Sequence, residues 1–583
     1  MTTIPRVHAE LLDGSGGRRW RLRPVPDLRG YADAGSGLPD MLRVLLAHRG
    51  VTATEDARRF LASPRDPDRP LPLPGMERGV ERLAAACRAG ESVAVFGDYD
   101  VDGITATCLL VEGLEALGAK PRAYLPDRFS DGYGLNPRVV RQMADTGATL
   151  VVTADTGTSS VAEISDAAAA GMDTVVIDHH TVPDVLPEAL AIVNPLLDPK
   201  AEWRPAAVGV AHRVLHELHE RLGVDYRRAD HHALVALGTV CDVMPLVGPN
   251  RDLVRLGLEA LSRPDRPGLR ALMEVARVRP ERVTVDTIGW ALGPRLNAAG
   301  RMAHPRLALD LLRASTLNEA RTLAAHLDQL NEDRREITSA AMEYARATLT
   351  PEDRQAPLLL LESRQMSSGV IGLVAARLAE EHHRPALVMR MEDGIATGSC
   401  RSIPGFDVAD LLQRHHDLFV RHGGHNAAAG FTVEERRLPE LRERLMADAA
   451  ERLDVAALAP TLDVDVELPL AEITPRLLRW LELLQPHGTG NPHPVFMARG
   501  VEVLQARAVG ADGTHLQMRV RSGGVEGARD RARVKVWRAI SFRNAEHAVA
   551  PGELADIVYQ LKPDDYEGGN AMQLEILDLR PSA

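Results

Sequence analysis

Lysine is nearly absent from this chain. Four of its 69 basic side chains are lysine, at Lys120, Lys200, Lys535 and Lys562, and the other 65 are arginine. Arginine presents a planar fork that suits phosphate oxygens, but a genome rich in arginine codons accounts for such a bias more simply. Cysteine is almost as scarce. Cys87, Cys108, Cys241 and Cys400 include no C-x-x-C pair, which excludes a thiolate zinc site and a disulfide framework and fits a reducing cytoplasm. No run of about 18 apolar residues occurs, and Met1–Glu10 has no apolar signal core, so neither secretion nor a membrane span is expected. Heptad and solenoid repeats are missing as well. Net positive charge is lacking too: the formal charge is −12, where nucleic-acid-binding domains are usually basic. A whole-chain sum can nevertheless hide a local basic groove.

What is present is an ordinary soluble composition, 45% hydrophobic and 26% charged, spread over 583 residues. That length predicts several domains rather than one enlarged core. Residues 1–40, with Arg18, Arg19, Arg21 and Arg23 among glycines, read as a poorly ordered lead-in. Short helical patterns over 40–89, broken by the proline-rich Pro64–Pro74, read as a helical prelude. From Ser92 to about Leu190 apolar runs at Ser92–Phe96, Leu150–Thr153 and Thr174–Ile177 alternate with helical stretches, the pattern of strands buried on both faces of a parallel α/β sheet. Asp310–Leu349 reads as a long charged helix joining two lobes. A second α/β lobe follows, with strands near Leu358–Leu361 and Ala386–Met389 and two glycine-rich stretches, Thr397–Phe406 and Arg421–Gly430. After Pro486-His-Gly-Thr-Gly-Asn-Pro492, alternating segments at Leu516–Val520 and Val534–Trp537 read as antiparallel β-structure, most simply closed as a small barrel.

The sharpest chemical signal is Gly97-Asp-Tyr-Asp-Val-Asp-Gly103, directly after the first apolar run. Three carboxylates at i, i+2 and i+4 call for a cation, because burying them unpaired costs several kcal/mol each. The spacing also resembles part of a calcium loop, but no glutamate stands at its twelfth position. The same arrangement recurs twice: Thr149–Thr153 leads to Asp155-Thr-Gly157, and Thr174–Ile177 leads to Asp178-His-His180. Each alone could be a helix cap or a surface histidine pair. Together they deliver Asp and His to one crevice at the carboxyl ends of parallel strands. Asp242, after the apolar Ala233–Val240, is a fourth candidate. Five aspartates and one or two histidines exceed what one ion needs, and mixed oxygen and imidazole donors suit two Mn²⁺ or Mg²⁺ ions. Such a pair activates water and clamps a phosphoryl centre, so the expected chemistry is hydrolysis at phosphorus.

These residues resemble a known family. Asp98-Tyr-Asp-Val-Asp-Gly103, Asp155, Asp178-His-His180 and Asp242 are similar to the signature motifs of the DHH phosphoesterase superfamily. Arg421-His-Gly-Gly-His-Asn-Ala-Ala-Ala-Gly430 resembles the glycine-histidine motif of its DHHA1 partner domain. Leu125–Gly134, Gly293-Pro-Arg-Leu-Asn-Ala-Ala-Gly-Arg-Met302, Gly398–Gly405 and Pro486–Pro492 narrow the likeness to the RecJ family of single-strand-specific 5′→3′ DNA exonucleases, over all but the first forty residues. The resemblance implies a DHH catalytic domain with its helical prelude over 41–265, a connecting region and long helix over 266–350, DHHA1 over 351–454 and an OB-fold-like domain over 455–583. It implies that Asp98, Asp100, Asp102, Asp155, His179 and Asp242 hold two Mn²⁺ or Mg²⁺ ions, with Asp155 bridging. His180 would contact the scissile phosphate or orient the site. Arg128, Arg301, Ser399 and Arg401, with Arg295 and His425 nearby, would receive the 5′-phosphate through guanidinium forks. The chain departs from the family at Met366-Ser-Ser368, where members often carry Trp-His-Pro.

The implied activity is release of 5′-mononucleotides from single-stranded DNA in recombination and repair, with a single-strand-binding protein and a helicase as possible partners. Tyr99, Phe129 and Tyr133 are candidates to stack on bases. Residues 501–540 hold Arg507, Arg519, Arg521, Arg529, Arg531, Arg533, Lys535 and Arg538 against Glu502, Asp512, Glu526 and Asp530. That local excess of four positive charges, with Trp537, suits a strand platform. Two other readings compete. A small-substrate DHH phosphodiesterase, acting on nano-oligonucleotides or cyclic dinucleotides, would not need the β-rich C-terminal part. A catalytically dead single-strand-binding scaffold would have lost ligands, whereas the set here is complete.

Overall fold

The computed structural model describes residues 10–15, 17–31, 38–64, 73–128, 134–226, 229–453, 460–510, 512–523, 535–564 and 572–582. The chain divides into two compact units, residues 64–455 and residues 1–63 with 456–583. Among the described residues no helix is long and apolar enough to cross a membrane.

The larger unit is built on two α/β lobes. In the first, Ser92–Gly97, Lys120–Tyr124, Leu150–Ala154, Asp173–Ile177 and Ala191–Val193 form an all-parallel sheet. Its order places Ser92–Gly97 between Lys120–Tyr124 and Leu150–Ala154. The three apolar runs are thus central strands, buried on both faces by helices, which is why they lack polar alternation. Lys120–Tyr124 and Ala191–Val193, the edge strands, carry too little apolar signal to be read from sequence. The chain reverses its winding direction at Ser92–Gly97, and crevices of such sheets open at that switch point.

The long helix, Leu317–Thr348, joins the lobes. Ala320, Ala324 and Leu327 lie in the core of the first lobe, while Ala341, Met342 and Ala345 lie in that of the second. The second lobe has the five-stranded sheet order Arg421–His425, Ala428–Glu434, Ile395–Arg401, Ala386–Glu392, Leu359–Ser363. The two glycine-rich stretches contribute to three of these strands. A Cβ at Gly398 would collide with the Phe431 ring and one at Gly424 with the Ala429 backbone, so glycine permits both approaches.

In the smaller unit Phe496–Val509, His515–Ser522, Trp537–Ser541, Met572–Pro581 and Leu554–Pro563 pair in turn, and Leu554–Pro563 pairs back onto Phe496–Val509 to close a barrel. The strand expected at Val534–Trp537 begins only at Trp537, and Val534 lies outside the described residues.

Two expectations about the N-terminal part are corrected. The lead-in is not loose throughout: Glu10–Asp13 pairs with Arg19–Leu22, which in turn runs parallel to Thr461–Val464. Trp20 is fully buried and its indole N–H donates to Asp578 at 2.7 Å. The first part of the prelude does not join the catalytic domain, whereas helix Met76–Ala89 packs Val80 and Leu83 in the core of the first lobe. Helix Asp40–Ala47 buries Leu42, Leu45 and Leu46 in one core with Leu468, Trp537 and Tyr559. Arg49 donates to the Asn491 side chain at 2.9 Å, and Asn491 itself holds the carbonyls of Leu484 and Pro486. The Pro486–Pro492 motif is therefore a structural clasp within this unit. An amphipathic helix in sequence shows that it has an apolar face, not which distant surface takes that face.

Candidate metal centre and phosphate pocket

The acids that follow the three central strands extend the parallel ladder by one step. Asp98 N–H donates to Ala154 O at 3.2 Å, Asp155 N–H to Ile177 O at 3.0 Å and Asp178 N–H to Val193 O at 3.1 Å. Backbone pairing thus fixes where each carboxylate emerges. The turn after each strand then aims it. Asp155 has φ 67° and Val243, beside Asp242, has φ 57°, a left-handed conformation costly for side chains with a Cβ and a common form of strain at functional sites. Asp100 caps helix Val101–Ala116 by accepting the Gly103 N–H at 3.1 Å. Asp102 accepts the N–H groups of Ala207 and Val208 at 2.7 and 3.0 Å, at the start of helix Ala207–Leu222.

Three overlapping sets of donor atoms converge. Asp98, Asp100 and Asp155 form one, Asp102, His179 and Asp242 the second, and Asp155, His179 and His180 the third, with the atoms of each within 4.8 Å of one another. His179 Nε2 lies 3.1 Å from Asp155, 3.5 Å from Asp242 and 3.7 Å from Asp102. Asp155 is common to two sets.

The electrostatics are those of a site built for cations. Burial, reinforced by Asp100, pushes Asp98 up to about 8 and Asp102 up to about 7. Burial and the Asp102 charge push Asp242 up to about 9, and burial with the surrounding aspartates drives Asp155 well above the usual carboxylate range. Asp98 Oδ1 is buried with no hydrogen-bond donor from the polypeptide, a condition that a positive ligand relieves. Burial, then the neighbouring His180 charge, lowers His179 to about 3, so its ring is neutral and free to ligate. These residues fit hard divalent ions with oxygen and imidazole donors.

His180 behaves oppositely. Burial alone would lower it, but its hydrogen bond to Asp178, 2.7 Å from Nδ1, outweighs this and raises it to about 9. Asp178, for which the motif alone suggests no separate role, is thus the partner of His180. It accepts N–H bonds from Thr158, His179 and His180 at 2.9, 2.8 and 3.2 Å, and despite burial His180 holds it below the usual carboxylate range. Asn194 donates to the His180 carbonyl at 2.9 Å. The Asp178 bond fixes the orientation of the ring and holds it as an imidazolium.

Helix Gly293–Met302 lies along the metal loop. Asn297 Oδ1 accepts the Val101 N–H at 3.2 Å. A Cβ at Gly293 would collide with Cys241 Sγ, and one at Gly300 with the Tyr99 carbonyl, so these glycines permit the approach. At its end Arg301 meets the second lobe, its guanidinium 3.5 Å from Gly369 O. Burial, then Arg128 and Arg401, bring Arg301 down to about 10. Arg401 is lowered by burial and Arg128, and donates to Ser399 Oγ at 3.0 Å. Arg128 lies over the Tyr99 ring at 4.4 Å. The Arg128 charge thus disfavours the charge on both Arg301 and Arg401, which makes the three guanidiniums a candidate pocket for an anion. The charge of Arg334 on the long helix also acts on Arg301, while its guanidinium donates to Asn331 at 2.9 Å.

Not every expected residue joins. Arg295 pairs with Asp328 on the long helix at 2.8 Å and donates to Ala291 O at 2.8 Å; its position in the motif could not reveal that partner. His425 does reach the crevice, its ring stacked 5.3 Å from that of His180. At the departure from the family pattern, Met366 is buried and Ser367 Oγ accepts the Gly369 N–H at 3.4 Å, closing the turn that presents Gly369 O to Arg301. Phe129 and Tyr133 lie outside the described residues, as do Arg529, Arg531 and Arg533. Tyr99 carries Arg128 on its ring, and Trp537 is only 1% exposed with Lys535 Nζ 3.4 Å from its ring centre, so Trp537 is core and not a base platform. Arg521 pairs with Glu502 and Arg538 with Asp564, which spends part of the local positive excess.

Family models match three parts of the chain: the DHH family N-terminal domain over residues 92–239, the DHHA1 domain over 355–451 and the RecJ OB domain over 464–578. The chain is 35% identical to a curated relative from Salmonella typhimurium, "Single-stranded-DNA-specific exonuclease RecJ", across 94% of this chain and 97% of that protein. Among solved structures it is similar to "RecJ in complex with Mn2+" from Thermus thermophilus, with TM-score 0.82, 31% identity and coverage of 97% of this chain and 80% of that one. The Mg²⁺ complex from the same organism gives TM-score 0.77 and 29% identity, covering 97% and 79%.

Proposed function

The chain belongs to the RecJ family of single-stranded-DNA-specific exonucleases, and from that premise we propose that it removes 5′-mononucleotides one at a time from the 5′ end. The observation that carries the polarity is the pocket of Arg128, Arg301 and Arg401 set beside the carboxylate crevice across the single residue Tyr99. A terminal phosphate held by the arginines leaves the next phosphate at the metal ligands, one nucleotide along.

In this reading Asp98, Asp100 and Asp155 would hold one divalent ion and Asp102, His179 and Asp242 the other. When bound, Mn²⁺ or Mg²⁺ would supply an activated water and neutralise charge at the phosphoryl centre. The protein does the rest. His180, kept charged by Asp178, donates from Nε2 to a non-bridging oxygen of the scissile phosphate, where charge accumulates in the transition state. Arg301 and Arg401 fix the end of the strand and with it the register. Cleavage of the P–O3′ bond frees a nucleotide with a 3′-hydroxyl and leaves a new 5′-phosphate on the strand, which suits the same arginine pocket for the next turn. The barrel of the smaller unit, matched by the RecJ OB domain, would hold the trailing strand. Because only unpaired strands qualify, a helicase and a single-strand-binding protein fit as partners, and DNA repair in the cytoplasm as the setting.

The test is a time course on single strands and blunt duplexes labelled at either end, with Mn²⁺, Mg²⁺ or chelator. Mononucleotides should appear first from the 5′ end of single strands and only with metal. Release from the 3′ end would reject the polarity.

A further inference from the structure

One of the chain's five tryptophans stands apart. Trp20, Trp203 and Trp537 are buried, while Trp290 is 84% exposed. It lies in a π-helical turn, Ile288–Leu292, that runs directly into the helix Gly293–Met302. Such wide turns cost hydrogen-bond geometry and occur often at functional sites.

Helical periodicity says which way this ring faces. Ile288, Leu292, Leu296 and Ala299 are fully buried and mark the core side, about half a turn from Trp290. Asn297 and Arg301, one turn apart on the α-helix, stand on the opposite side, and Trp290, in the wide turn that precedes them, falls within about a quarter turn of that side. That is the face whose Asn297 bonds the metal loop and whose Arg301 enters the arginine pocket. Between them Gly293 abuts Cys241, the neighbour of Asp242. Passing along this helix from Arg301 one therefore meets the phosphate pocket, the metal loop, the Asp242 side of the crevice and then Trp290. Eleven residues at about 1.5 Å each put Trp290 about 16 Å from Arg301. Val243, 66% exposed in its strained conformation directly after Asp242, adds apolar surface at the same end.

We infer that Trp290 is a stacking platform for a base of the substrate strand on the 3′ side of the cut. The inference rests on the reading that the 5′-phosphate lies at Arg301. A strand entering there and crossing the metal ligands continues toward Trp290, and a free indole face is sequence-tolerant because every base has a π-face. At about 3.4 Å per stacked nucleotide the separation exceeds the reach of a dinucleotide.

The test compares wild type, Trp290→Ala and Trp290→Phe on a 5′-phosphorylated dinucleotide and on a strand of about ten nucleotides. The loss of a stacked base should raise KM for the longer strand about tenfold more than for the dinucleotide in Trp290→Ala, and phenylalanine should restore most of it. In chelator, where nothing is cut, the longer strand should quench wild-type tryptophan fluorescence, and the quench should largely vanish in Trp290→Phe. Equal losses at both lengths, no loss at either, or a quench that survives in Trp290→Phe would each overturn the inference, the last because another indole reports the strand. Absence of any quench in wild type would also overturn it, and would leave the ring to a protein partner. If wild type cuts single strands from the 5′ end, only this inference is at stake; if it leaves them intact, the functional reading fails first.

Discussion

His180 and His425 come from different lobes of the larger unit, 245 residues apart in sequence, yet their rings stack at 5.3 Å with 20° between planes. The first is held charged by Asp178, and the second is pushed down by burial and by the His180 charge. A neutral ring thus covers one face of a cationic one at the crevice. His425→Ala should lower kcat about tenfold while leaving Mn²⁺ affinity within about twofold, because it removes a support of His180 and no proposed ligand. Steady-state kinetics with a metal titration would check this, and a large loss of metal affinity would contradict it.

Asp100→Ala and His179→Ala each remove one proposed ligand from a set that converges on the same crevice. Cleavage should fall by about 10³-fold or more, while binding of single strands in chelator should persist. Retention of more than about a few per cent of activity would remove the residue from the centre.

Arg401 and Arg295 separate the pocket from its surroundings. Charge-assisted hydrogen bonds contribute roughly 1.5–3 kcal/mol each, so Arg401→Ala should reduce the preference for a 5′-phosphate over a 5′-hydroxyl by about tenfold or more. Arg295→Ala breaks an ion pair with Asp328 instead and should leave that preference unchanged. Competition between the two substrate ends measures both.

The raised carboxylates make stability depend on pH. Asp98, Asp102 and Asp242, at about 8, 7 and 9 in the folded chain, titrate near 4 when unfolded. The folded state therefore binds more protons, and the stability they contribute is full below about 4 and is lost as pH rises toward about 9. In chelator Tm should fall from pH 5 to pH 9. Asp242→Asn should flatten that slope, and Mn²⁺ should raise Tm more at pH 8 than at pH 6, since fewer protons must then leave. Calorimetry across this range would show a flat profile if the carboxylates were not buried together.

Trp20 and Leu22 share one core with barrel residues, and Tyr31, helix Asp40–Ala47 and Ala57 share another, so removing 455–583 alone would expose both. A fragment of residues 64–455 instead keeps both lobes, the metal ligands and the arginine pocket. It should cut very short strands nearly as fast as the full chain and bind strands of about ten nucleotides or more much less tightly. Equal losses at both lengths would reject the barrel as the platform.

The proposed ligand chemistry and most of the architecture around it were legible in local order along the chain. Apolar runs without alternation can be read as central parallel strands, and the residue after such a run must emerge at the sheet's carboxyl end, so Asp98, Asp155 and the Asp178-His-His180 segment could be placed before any folding was known. The long helix and the β-rich end were legible in the same way. Pairings between residues far apart in sequence needed the folded chain. Asp178 became the partner that charges His180, Arg295 was taken by Asp328, Trp537 went into the core and helix Asp40–Ala47 joined the core of the barrel. Trp290 acquired its meaning from lying near the side that carries Arg301. A periodic pattern tells which face of an element is apolar or charged; which surface meets it depends on how the whole chain packs, and no local rule encodes that.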